Sequence, residues 1–193
     1  MEINSIKIPK TQYDIYPLIT QRWSPRSFDD KPISEEQLAE LFEAASWAAS
    51  AFNGQPWEYI YAFRGTEAFE MFWDLLKPGN QPWAKNASVL VLSIANRDMG
   101  NGGINPWAEH DLGMANAQLL LQAKHRDIYG HMMAGFDRQK AIEILNLSEF
   151  QNPVCLIALG YLGAPEKLEE PYRSKEHAPR NRKMVEEFTR ELR

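Results

Sequence analysis

Apolar positions along the chain fall into three kinds of pattern. Behind Ser34-Glu35-Glu36-Gln37, Leu38, Leu41, Phe42 and Ala45 recur at helical spacing. The leading tetrapeptide reads as a capping box, in which the serine oxygen takes an orphan N–H and the glutamine reaches back. Together they predict a helix over about 34–48. Trp57, Tyr59, Tyr61 and Phe63 alternate with Glu58, Ile60, Ala62 and Arg64, the period of two of a half-buried strand. Residues 88–95 and 154–161 are nearly unbroken apolar runs rich in Val, Leu and Ile. Such runs suit strands covered by helices on both faces, so these two should form the sheet centre.

Further helices are expected over about 66–76, where Phe69, Trp73 and Leu76 keep one face, and over about 107–124. In the latter, Leu112, Ala115, Leu119 and Gln122 mark one face while Met114, Ala117, Leu120 and Leu121 fill another. A helix apolar nearly all round predicts burial, which a subunit this small reaches most readily by dimerising through it. Asp137 can cap a helix running to Leu145, and residues 182–192 are expected to close the chain as another helix. The turn-rich or charge-rich stretches at 96–106 and 164–182 do not read as linkers, and no repeat appears. One domain over residues 1–193 follows, since that length supports one sizeable core.

Composition removes several function classes. A formal net charge of −5 and a pI near 5.5 work against phosphate-backbone binding, so no nucleic-acid partner is expected. No segment approaches the ~20 apolar residues of a membrane span, and the first residues lack a leader pattern, so a cytoplasmic location is the default expectation. Cys155, the single cysteine, lies in an apolar run and reads as packing. His110, His125, His131 and His177 show no metal-ligand spacing, so no metal site is expected. Nor does any segment present a nucleophile with its base, or paired carboxylates, and a bound cofactor is the better source of chemistry.

Three segments could hold such a cofactor. Arg22-Trp23-Ser24-Pro25-Arg26-Ser27-Phe28 brings two guanidinium groups and two hydroxyls together. That set suits a phosphate, because arginine forks pair bidentately with its oxygens, and equally suits a solvated turn. Arg180, Arg182 and Lys183 would join it if the tail folds back; alone they read as a solvated charge run. Ser50-Ala51-Phe52-Asn53-Gly54-Gln55-Pro56-Trp57, between helix and strand, allows close backbone approach to a flat ligand and carries two amides, or is an ordinary connection. Gly130 and Gly135 bracket a tight path after the long helix, which also reads as a short edge strand with a helix cap.

In order and spacing these segments resemble the nitroreductase family of FMN enzymes over nearly the whole chain. Arg22 to Phe28 is similar to the family's R-x-S-x-R-x-F opening, and Leu41-Phe42-Glu43-Ala44-Ala45 with Ser50 to Trp57 is similar to its L-x-E-A-A…S-x-x-N-x-Q-P-W motif. His131 to Asp137 resembles the glycine-containing segment beside the flavin, Leu159-Gly160-Tyr161 the closing strand, and Arg180-Asn181-Arg182-Lys183 the basic C-terminal motif. The resemblance implies an α+β fold with a central mixed β-sheet flanked by helices, and a homodimer with FMN at the subunit interface. It implies that Arg22, Ser24 and Arg26, with Arg180 and Arg182, bind the phosphate and ribityl end. Ser50, Ala51 and Asn53 would lie along the isoalloxazine, some from the neighbouring chain. Ala134 and Gly135 match the position that offers a backbone N–H to the flavin N5, and Asn80 a residue at the pyrimidine edge.

Two positions depart from the family pattern. Ala49 replaces a common proline before the serine, and Trp83 falls near a common lysine, so a cation near N1 and O2 must come from Arg26 or Lys85. The implied activity is a ping-pong cycle from a transient NADH or NADPH donor through FMN to a small acceptor such as a nitroaromatic, quinone or enone, with no catalytic residue of the protein's own. Acceptor choice would rest with residues 96–108, Phe52 and Trp83. The alternatives on the same scaffold are reductive dehalogenation, substrate desaturation, or flavin binding without turnover.

Overall fold

The structure is a computed structural model that describes residues 2–100 and 103–193, with the side chains of 2–4 excepted. Part of the turn-rich 96–106 stretch therefore lies outside the described residues. Eight helices and four strands follow in the order α1 (Glu2–Lys7), α2 (Pro17–Gln21), α3 (Glu35–Ser46), β1 (Trp57–Phe63), α4 (Glu67–Leu75), α5 (Gln81–Ala84), β2 (Val89–Asn96), α6 (Ala108–His125), β3 (Ile128–Met133), α7 (Arg138–Leu145), β4 (Gln151–Tyr161) and α8 (Tyr172–His177). The capping box of α3 forms as the sequence predicts, Ser34 Oγ accepting from Gln37 N and Gln37 Oε1 accepting from Ser34 N, both at 3.1 Å. Thr66 and Asp137 cap α4 and α7 through the N–H groups of Phe69 and Lys140.

The strands form one sheet in the order β1-β2-β4-β3, so the two apolar runs occupy its centre as expected. Every residue of β2 except the last is buried. Leu90, Leu92 and Ile94 face a cluster with Phe69, Phe72 and Leu75 of α4. Val89 and Val91 face the other way, onto Leu38, Leu41 and Ala45 of α3 and Ala115, Leu119 and Ala123 of α6. Helices thus cover both faces, which is why the central strands lack alternation. β4 begins earlier than its apolar run and contains Pro153, opposite the register shift between Ser93 and Ile94; proline has no N–H to give the ladder, and the irregularity accommodates it. Gly130 lets α6 approach β3, because a Cβ there would stand 2.2 Å from Leu120 Cδ2.

Two expectations need correction. All three strand pairings are antiparallel, so the described strands hold no parallel pair of the kind a mixed sheet contains. The chain passes between neighbouring strands without a parallel crossover. The expected helix over 182–192 is only a single 3-10 turn, Val185–Glu187, and Met184, Phe188 and Leu192 are exposed. Nothing among the described residues covers their apolar side, and a segment this short is not helical without packing. Within the subunit α6 is buried on one face: Gly113 and Ala117 are exposed and Met114, Gln118 and Leu121 half-buried. Among the described residues no helix is long and apolar enough to cross a membrane.

Candidate functional site

The C-terminal tail folds back onto the opening motif. Arg180 donates from Nη2 to Thr20 O at 2.7 Å and from Nη1 to Arg22 O, pinning the tail to the end of α2. Arg22 in turn donates to Ser24 Oγ at 3.4 Å. Burial and the neighbouring Arg182 charge lower the Arg22 pKa, and burial with Arg182 and Arg22 lowers that of Arg180. Three cations that disfavour one another are therefore gathered in one place. Among the described residues none of their guanidinium groups, nor that of Arg26, has a carboxylate oxygen within 4.0 Å, and the buried Arg180 Nε has no partner there either. Like charges held together without a counter-ion suit an external anion.

Two residues with no local sequence signal hold this arrangement. Glu176 is 1% exposed, and its Oε1 accepts the Arg26 N–H at 2.5 Å; burial raises its pKa, against the pull of that N–H and of the Arg26 and Lys7 charges. Lys7 is also buried and donates to the carbonyls of Lys175 and Ala178 at 3.0 and 2.6 Å, its ammonium 4.8 Å from the Trp23 ring centre. N-terminus, opening motif and tail are joined through these contacts.

The wall beside this cluster is aromatic. The Arg26 guanidinium carbon lies 5.8 Å from the Trp83 ring centre, and Trp83 packs against His131 with centroids 4.5 Å apart. His131 Nδ1 is 2.9 Å from Pro25 O; a carbonyl only accepts, so Nδ1 carries the proton. Burial, reinforced by the charges of Arg26 and Arg22, brings His131 down to about 4, and the ring is neutral near pH 7. Farther along, Asn80 Nδ2 donates to Gly135 O at 3.1 Å. A Cβ on Gly135 would come within 2.9 Å of that nitrogen, so only glycine keeps this close contact. The N–H groups of Ala134 and Gly135 have no partner among the described residues.

Ser50, Ala51 and Asn53 stand elsewhere. They belong to a tight loop in which Phe52, Asn53 and Gln55 all have positive φ, 53°, 57° and 46°, a strained path that must be held from outside. Asp111, 2% exposed in the first turn of α6, holds it by accepting the Ala51 N–H at 2.9 Å. Within the loop Ser50 Oγ accepts the Gln55 N–H at 3.1 Å. The result presents Phe52, 97% exposed, to solvent, beside a cavity of about 400 Å3 that reaches Trp57, Asn96 and Trp107.

The structure thus brings Arg22, Ser24, Arg26, Asn80, Ala134, Gly135, Arg180 and Arg182 to the β3 side of the sheet, and leaves Ser50, Ala51 and Asn53 at the start of β1. These are its opposite edges, separated by three interstrand steps, roughly 14 Å at about 4.8 Å each. Sequence reasoning missed Asp111, Glu176 and Lys7. Only Asp111 left a trace, as an acidic residue in the first turn of the long apolar helix.

Comparison with known proteins identifies the family and the fold. The model of the nitroreductase family matches residues 19–77 and 61–161. A crystal structure described as that of an oxidoreductase containing FMN superposes with a TM-score of 0.90 at 33% identity, covering 95% of this chain and 94% of the other. An uncharacterized 15.4 kDa protein of Mycolicibacterium smegmatis is 32% identical over 121 residues, 63% of this chain and 80% of that protein. A NADH dehydrogenase of Thermus thermophilus is 27% identical over 170 residues, 73% of this chain and 83% of its own length. With the family model spanning most of the chain and a near-complete structural match at this identity, the protein belongs to the nitroreductase family and is an oxidoreductase of that family.

Proposed function

We propose that the chain is an FMN-dependent NAD(P)H oxidoreductase acting as a homodimer. The observation that carries this is the convergence of Arg22, Arg180 and Arg182 with no carboxylate among the described residues to pair their guanidinium groups, which fits the phosphate of FMN. Ser24 adds a hydroxyl there, and Arg26, held through its backbone by Glu176, supplies positive charge beside the aromatic wall. On this reading Asn80, which donates to Gly135 O, would meet the pyrimidine edge, and the N–H groups of Ala134 and Gly135, unpartnered among the described residues, would serve as donors for the ring nitrogen. Bound FMN would supply two-electron exchange, in ping-pong order, between NADH or NADPH and a small acceptor such as a nitroaromatic, quinone or enone.

Dimerisation is supported by the same geometry. Ser50, Ala51 and Asn53 lie across the sheet from the arginines, so one ligand meets both groups when a second copy supplies the loop. The half-buried side of α6 borders an open groove with Tyr16, Leu18, Ala44 and Trp47, the last 79% exposed, an apolar surface of the kind subunits cover.

The test is the visible spectrum of purified, desalted protein, followed by anaerobic addition of NADH and then NADPH. A yellow protein whose FMN bands bleach within seconds is the expected result. A protein that stays colourless after incubation with FMN overturns the reading.

A further inference from the structure

The cavity beside the strained loop has a chemistry of its own. Its walls are aromatic and apolar: Trp57 and Trp107 face it, Met99 adds a thioether, and Phe52 stands at the rim. Flat ligands gain from such surfaces. Its polar groups are acidic or amide. Glu58 is held in place by two amides, Asn96 Nδ2 donating to Oε1 at 2.6 Å and Gln151 Nε2 to Oε2 at 2.5 Å. Asp98 lies nearby, and among the described residues no lysine or arginine lines the cavity. This is the opposite of the arginine cluster across the sheet.

We propose that this cavity binds the electron acceptor and selects flat aromatic molecules that are neutral or cationic over anionic ones. The inference rests on the reading of the protein as a flavin reductase, because Ala51 and Phe52 belong both to this cavity and to the loop read as facing the flavin ring. A volume of about 400 Å3 accommodates a substituted single ring. It does not suit the phosphates of a nicotinamide dinucleotide, which would meet Asp98 and Glu58 without a cation to pair with. Cofactor and acceptor sites are thereby distinguished by charge: cations collect where the phosphate of FMN is read to lie, and carboxylates where the acceptor enters.

The experiment compares 4-nitrobenzyl alcohol with 4-nitrobenzoate, two probes of one shape that differ by a negative charge. Binding is measured calorimetrically on the protein as purified, and KM is measured for each with NADH as donor. The alcohol is expected to bind about tenfold more tightly, equivalent to about 1.4 kcal/mol. Asp98→Asn keeps the oxygen that accepts the Gly100 N–H at 2.7 Å while removing the charge, and should shrink that ratio to about threefold. Trp107→Ala should weaken both probes alike and leave the ratio intact. Equal binding of the two probes, no binding of either, or a ratio that Asp98→Asn does not move would each overturn the proposal. Bleaching of the wild-type flavin by NADH involves no acceptor and reports separately on the reductase reading. Calorimetry needs no flavin, so the two can fail independently.

Discussion

Replacing Arg182 with glutamine separates the proposed phosphate binding from folding. Among the described residues the only hydrogen bond the Arg182 side chain makes is to the carbonyl of its neighbour Asn181, at 2.7 Å on the exposed tail. Its loss should change the stability of the flavin-free protein by no more than about 0.5 kcal/mol. The sign favours a slight gain, since Arg182 contributes to lowering the pKa of both Arg22 and Arg180. A hydrogen bond to a charged group is worth about 1.5–3 kcal/mol, and solvent screening of an exposed guanidinium puts this contact at the lower end. FMN affinity should therefore fall about tenfold. Arg180→Met is the contrast. It removes two donations to the Thr20 and Arg22 carbonyls, at a cost of roughly 2 kcal/mol or more, and should lower Tm by about 4–8 °C for a chain of this size. Equilibrium dialysis with FMN, read by flavin fluorescence, and thermal unfolding without it measure the two effects. Wild-type FMN affinity in Arg182→Gln would refute the reading that Arg22 and the tail arginines share one phosphate.

Other consequences can be checked on the same protein. Burial holds His131 at about 4 against 6.5 for a free imidazole, so the unfolded chain takes up a proton in that window that the folded chain resists. Its contribution is complete above about pH 6.5 and is lost on acidification, about 2.5 kcal/mol by pH 4.5; denaturant titrations across this range should show a flatter pH dependence in His131→Gln, and parallel curves would contradict the argument. Asp111→Ala strands the Ala51 N–H and frees the strained loop, so FMN retention should drop about fivefold or more, whereas Asp111→Asn, which keeps an acceptor, should stay within about twofold. Equal behaviour of the two variants would show that the loop is held by something else. Gly130→Ala forces a methyl to within 2.2 Å of Leu120 Cδ2 and 3.0 Å of Leu159 Cδ2 in a closed core. Overpacking of that kind costs about 1–3 kcal/mol, visible as a lower Tm, and an unchanged Tm would mean that α6 can move off β3.

The local elements were legible because each is written in a short-range pattern. Ser34 and Gln37 cap a helix whatever surrounds them, and the unbroken runs in β2 and β4 announce central strands because only burial on both faces tolerates them. The tail misled for the same reason. Met184, Phe188 and Leu192 keep helical spacing, yet the segment makes only a 3-10 turn because no surface among the described residues takes up that face.

What the sequence determined by itself was the identity and order of the parts: two central strands, a capped helix, a long apolar helix, and the motif residues that resemble the nitroreductase pattern. Only the tertiary structure decided which parts meet. It carried Arg180 and Arg182 back to Arg22 and left the Ser50 loop at the other edge of the sheet. It also recruited Lys7, Asp111 and Glu176 as anchors. The physical reason is range. Capping and periodicity act over three or four residues, whereas a buried carboxylate finds its N–H, and a guanidinium its carbonyl, across 60 to 160 positions that come together only when the core has closed.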